Sequence, residues 1–141
     1  MHAVTLMRHL ALEMSEPTLP SRSRARMNQI LIIESDFQIR RLLEHWVEEA
    51  GYAVMGGHTE AAAGGPDLVI AGLGSSSTRV AERIDALRRA HSAPLLLVSS
   101  RFRRGLAESH TAARHLGVQA VLPTPFNQAE LLSAIASAQG A

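Results

Sequence analysis

The side chains able to carry chemistry gather in short polar stretches, each following an apolar run. Gly72 to Thr78 reads GLGSSST. It leaves a strand-like run and opens a helical pattern, the context in which backbone N–H groups and a helix dipole cradle a phosphate. It lacks the third glycine of a dinucleotide fingerprint and the lysine of a P-loop, and small residues are also ordinary loop composition. RFRR, Arg101 to Arg104, follows the next strand-like run. There Arg101, Arg103 and Arg104 are placed to join Gly74, Ser75, Ser76 and Ser77 in holding an anion by bidentate contacts; a solvated loop is the plain alternative. The three serines have no evident base beside them, so no hydrolase triad assembles. His110 and His115 are five apart and do not share a helix face. With no cysteine or carboxylate completing a set, the seven histidines read as surface residues. Neither a catalytic residue nor a metal set is assigned.

The absences narrow the chemistry further. The chain has 141 residues, 46% of them hydrophobic, enough for one buried core and tight for two. A formal charge of +1 is not that of a dedicated nucleic-acid binder. No cysteine is present, which removes thiol nucleophiles and disulfides and suits a reducing cytoplasm. Every basic residue other than histidine is arginine, so no step that needs a lysine ammonium can be served from within the chain. No apolar run approaches the roughly 20 residues of a membrane span.

Residues 1–26 read as a tail. Ala3, Met7, Leu10 and Met14 share one helical face, Arg8 and His9 interrupt any signal-peptide core, and SEPTLPSRSRAR is polar and proline-broken. Met27 is a credible alternative start, leaving residues 27–141 as the domain. From there strand-like runs alternate with helical patterns, which predicts a parallel sheet with helices on both faces. Strands are expected at Ile30–Ile33, Ala53–Met55, Leu68–Ala71, Leu95–Val98 and Val118–Leu122. The first helix presents Ile39, Leu42, Leu43, Trp46, Val47 and Ala50 and stops at Gly51. HTEAAAGG leaves room for a truncated second helix. Val80, Ile84 and Leu87 mark the third, and Leu106, Ala113 and Leu116 a weaker fourth. The last begins at Asn127, where Glu130 completes a capping box, and turns Leu131, Ile135 and Ala138 inward. Ligands of doubly wound sheets bind beyond the carboxyl ends of the strands, which here are Glu34 and Ser35, Gly72 to Ser77, Ser99 to Arg104, and Pro123 to Pro125.

At those ends the chain resembles the receiver domain of two-component response regulators. ILIIESDFQIRRLLEHWVEEAGYAV is similar to the family's first strand, first helix and second strand, including Arg40, Arg41 and Tyr52. PDLVIAGL, PLLLVSS and LGVQAVLPTPF resemble its later strands and ending. The resemblance implies a flavodoxin-like sheet of order 2-1-3-4-5. It also implies six functional positions. The Mg²⁺-holding acidic pair falls on Glu34 and Ser35, the phosphoacceptor aspartate on Gly72, the switch Ser/Thr on Ser99, the switch aromatic on Val121 and the phosphate-pairing lysine on Thr124. Four of the six depart from the pattern.

Mg²⁺ needs carboxylates together with phosphate oxygens, and phosphoryl transfer needs an in-line nucleophile. Asp67 lies at the wrong end of its strand, roughly 16 Å from Gly72 at strand rise, and Asp85 lies in a helix; Asp36 is the one further carboxylate placed to lean toward the site. No enzyme activity and no cofactor are expected, with Mg²⁺ binding weak or absent. The expected function is phosphorylation-independent binding of a protein partner in bacterial two-component signalling, in the cytoplasm. Homodimerisation is expected through faces near the family's fourth and fifth helices, with no membrane or nucleic-acid contact and no room for an output domain after Gln139. The competing expectation is an anion or nucleotide sensor built on the 72–78 loop and the three arginines.

Overall fold

The computed structural model describes residues 29–55, 65–74 and 79–140. The amphipathic stretch of the tail, the alternative start at Met27, Ser75, Ser76, Ser77 and Thr78, and almost all of the expected second helix lie outside the described residues. In chain order the elements are β1 (Gln29–Ile33), α1 (Phe37–Glu49), β2 (Ala53–Met55), β3 (Leu68–Gly72), α2 (Val80–Ala90), β4 (Leu95–Ser99), α3 (Leu106–Leu116), β5 (Ala120–Pro123) and α4 (Gln128–Gly140). All five strands are parallel, in the order β2-β1-β3-β4-β5.

A strand points successive side chains to opposite faces, and the apolar runs supply both. Ile30, Ile32, Leu68, Ile70, Leu96, Val98 and Leu122 pack on one side against Leu43 and Val47 of α1 and Leu131 and Ile135 of α4. Leu31, Val69, Ala71, Leu95, Leu97 and Val121 pack on the other against Ile84 and Leu87 of α2 and Ala113 of α3. Each such side chain, once fully buried, contributes about 1.5 to 3 kcal/mol of transfer free energy. Each face is therefore a separate core.

The ends of the elements are closed by local hydrogen bonds. Asn127 Oδ1 accepts from the Glu130 N–H at 2.8 Å while Glu130 Oε1 accepts from the Asn127 N–H at 2.9 Å, the reciprocal capping box expected for α4. Gly51, at φ +104°, ends α1, and the Tyr52 N–H donates to the Val47 carbonyl at 3.0 Å. At the opposite end of the sheet from the expected site, the Asp67 carboxylate accepts from the Gln29 N–H at 3.0 Å and so ties β3 to β1.

Two expectations need correction. Leu42 and Ala50 are exposed, because the inward stripe of α1 is narrower than the run of apolar letters and centres on Leu43 and Val47. The fifth strand begins at Ala120 instead of Val118, since Gly117 takes a left-handed conformation and the Val118 N–H donates to the Ala113 carbonyl, closing α3. Trp46 is partly buried and meets Phe126 edge-on with ring centroids 5.9 Å apart.

Candidate functional site

The register sets the site. Ile33 pairs with Ala71, Gly72 with Val98, and Ser99 with Pro123, so Glu34, Gly72, Ser99 and Thr124 leave neighbouring strands side by side. Glu34, Ser99 and Thr124, together with Ser35, Asp36 and Gly74, line a cleft of about 490 Å³.

Gly72 is buried, and the space a side chain would take is held by Glu34. A Cβ built on Gly72 would stand 2.6 Å from Glu34 Cδ and 3.0 Å from Oε2, with Oε1 closer still. The carboxylate is fixed by accepting from the Asp36 N–H at 2.9 Å. Asp36 lines the cleft, but one of its oxygens is committed to the helix. Its Oδ1 accepts from the Ile39 N–H at 3.0 Å and caps α1, a contribution of about 1 kcal/mol.

Ser99 is 3% exposed, and its hydroxyl is committed to the surrounding loops. It accepts from the Arg101 N–H at 3.1 Å and donates to the Gly74 carbonyl at 3.4 Å. Thr124, joined to Pro125 by a cis peptide bond, donates its N–H to the Ser99 carbonyl at 3.2 Å. Val121 is buried in the core beside α2 and α3. No lysine exists to reach the cleft, and among the described residues no cluster of three His, Asp or Glu is placed to hold a metal ion.

The arginine loop is divided. Arg101 and Arg103 are exposed. Arg104 turns to α4, where it donates to the Pro125 carbonyl and pairs with Glu130 Oε2 at 2.8 Å. Nothing in the sequence pattern signals this clasp, since a loop side chain's direction has no periodicity. His110 and His115 are exposed on α3.

The Glu130 carboxyl is held below its usual range first by the Asn127 backbone hydrogen bond; desolvation opposes this, and the hydrogen bond and charge of Arg104 add smaller lowering contributions. A depressed folded pKa stabilises the fold above the unfolded value of 4.5 and loses that contribution as pH falls through the folded value. Glu130→Gln should accordingly lower the urea midpoint at neutral pH and flatten its fall below pH 4.5. An unchanged acid limb would mean that this carboxylate is not among those that govern it.

No model of a known protein family matches the chain. Among curated proteins it is 27% identical over 114 residues to the transcriptional regulatory protein CpxR of Escherichia coli (strain K12), covering 77% of this chain and 48% of that protein. The CpxR of Klebsiella pneumoniae subsp. pneumoniae (strain HS11286) is 25% identical over the same length. The chain thus spans about half the length of the curated relatives it matches. Among solved structures it superposes on the N-terminal domain of the nisin resistance regulator NsrR with a TM-score of 0.60, at 22% identity over 79% of this chain and 97% of that one. A response regulator receiver protein from Burkholderia phymatum gives 0.58, at 17% identity over 79% and 94%. The domain has the receiver fold. The sheet order that the resemblance implied, 2-1-3-4-5, is the one observed. No helix among the described residues is long and apolar enough to cross a membrane.

Proposed function

We propose that this receiver domain acts in a bacterial two-component pathway by binding a protein partner, without being phosphorylated and without catalysing a reaction. The observation that carries the reading is Glu34 lying over Gly72: the place of the acceptor carboxylate is filled by a neighbour's side chain that is itself tied to the Asp36 N–H. In-line phosphoryl transfer requires a free nucleophile and a charge clamp. Here the nucleophile's position has no side chain, the second metal carboxylate is replaced by Ser35, and no lysine is available. Mg²⁺ binding is weak or absent on this reading. Ser99, held by the Arg101 N–H and Gly74, supports one resting arrangement of the loops in place of a switched pair. A cytoplasmic location and contact through the face formed by α3, β5 and α4, homodimerisation included, complete the proposal.

Incubating the protein with acetyl phosphate and Mg²⁺, or with beryllofluoride and Mg²⁺, is expected to leave its intact mass and its amide spectrum unchanged. Stable stoichiometric modification, or a wide spectral shift centred on Gly72, would sink the reading.

A further inference from the structure

We propose that residues 3–14 of this same chain dock as a helix along the groove between α3 and α4, so that the chain's own N-terminal segment must leave this face before a partner or a second copy can bind there. The groove holds about 330 Å³. Its walls are cut back to small side chains, Ser109 and Ala113 on α3 and Ser133 and Ser137 on α4, and Leu106 stands 67% exposed at one end. Such a trough accepts long, adaptable side chains best. Met7, Leu10 and Met14, with Ala3, recur at spacings of four, three and four, which brings them onto one helical face. A helix of that span is about 18 Å long, matching the 13-residue α4 beside it.

The point where the described chain begins favours this occupant. Gln29 starts β1, and its carbonyl accepts from the Asp67 N–H at the foot of β3; further across the sheet the Gln119 N–H donates to the Leu95 carbonyl. Gln119 lines the groove. From β1 to β5 is three strand spacings, roughly 14 Å, and residues 15–28 can extend to about 46 Å. The connection is ample. This inference concerns which segment covers the face and does not depend on whether Gly72 has lost phosphoryl chemistry.

The chain contains no cysteine, so a nitroxide attached through Thr5→Cys reports the segment's position in the full-length protein. Thr5 lies about 180° from the apolar stripe at 100° per residue, leaving the docking face free. With ¹⁵N-labelled protein, the amides of Ser109, Ala113, Ser133 and Ser137 are expected to lose most of their intensity, and Met7→Asp with Leu10→Asp is expected to restore them. Unchanged resonances for Leu68 to Ala71 show that the double variant remains folded. Broadening centred on another surface, broadening spread evenly, or broadening indifferent to the two aspartates would overturn the proposal. So would broadening that arises only when spin-labelled, unlabelled-nitrogen protein is mixed with ¹⁵N protein, because the occupant would then be a second copy.

Discussion

Changing three residues together, Ser35→Asp, Gly72→Asp and Thr124→Lys, is expected to give a domain that binds Mg²⁺ and beryllofluoride stoichiometrically, where the proposed function expects the parent to bind neither. Gly72→Asp alone should not do so. A lone aspartate at that position would enter space now held by the Glu34 carboxylate, and with Ser35 opposite and no lysine it would meet neither a metal nor a counter-charge. The far end of Glu34 is held by the hydrogen bond from the Asp36 N–H, so it can swing aside at the cost of that bond and the backbone need not yield; displaced from above residue 72, it joins the carboxylate introduced at position 35 as a metal ligand. Mg²⁺ is held by one or two carboxylates with phosphate oxygens completing the shell, and a lysine at position 124 adds a point charge for the phosphoryl mimic. The metal-free triple variant pays for this in repulsion, about 1 to 4 kcal/mol for each carboxylate pair 4 Å apart between the dielectric of water and that of a protein surface. Melting should therefore drop on making the variant and recover with Mg²⁺. Calorimetric titration checks the binding. Equal uptake by the unsubstituted protein, or none by a folded triple variant, would show that these three positions are not what separates the domain from phosphoryl chemistry.

That experiment isolates the part of the site that was legible in the letters. Gly72 and Thr124 lack side chains of the right kind, and such a lack is plain in a sequence. Which group would fill the gap was not plain. It follows from the pairing of Ile33 with Ala71, which sets Glu34 beside Gly72, and from the Asp36 N–H that fixes the carboxylate there. By its place in the chain Asp36 was free to join the cleft, and it does line it, but a carboxylate one residue ahead of a helix also finds an unpaired N–H at the third helical position. Arg104 was grouped with Arg101 and Arg103 because they adjoin in sequence, whereas Glu130 and the Pro125 carbonyl draw it across to α4.

The sheet was more readable because burial on both faces leaves a dense signal. β1, β3 and β4 are almost unbroken aliphatic runs, and fully buried parallel strands require that composition. Helix α4 was placed by its capping box, a local pair of hydrogen bonds that depends on no tertiary partner. Sequence reasoning erred where tertiary choice decides, as at Leu42, whose apolar letter fits the stripe of α1 although the helix turns it outward.

The two-faced core makes a quantitative expectation for β4. Leu96 and Leu97 are consecutive and both wholly buried, yet Leu96 belongs to the core under α1 and α4 and Leu97 to the core under α2 and α3. Truncating a buried leucine costs the lost transfer energy plus the cavity left behind, about 2 to 5 kcal/mol. Leu96→Ala and Leu97→Ala should each lower the urea-derived stability by that amount, whereas Leu42→Ala on the outer face of α1 should stay within about 0.5 kcal/mol of the parent. A sheet packed on one side only would instead show one large loss and one near zero. Against a total of roughly 5 to 15 kcal/mol for a native domain, the two β4 losses combined approach the whole. The double variant is thus expected to be largely unfolded at 25 °C by near-ultraviolet circular dichroism. If it retains cooperative unfolding while both single variants show the full loss, the two cores are energetically coupled and relax together.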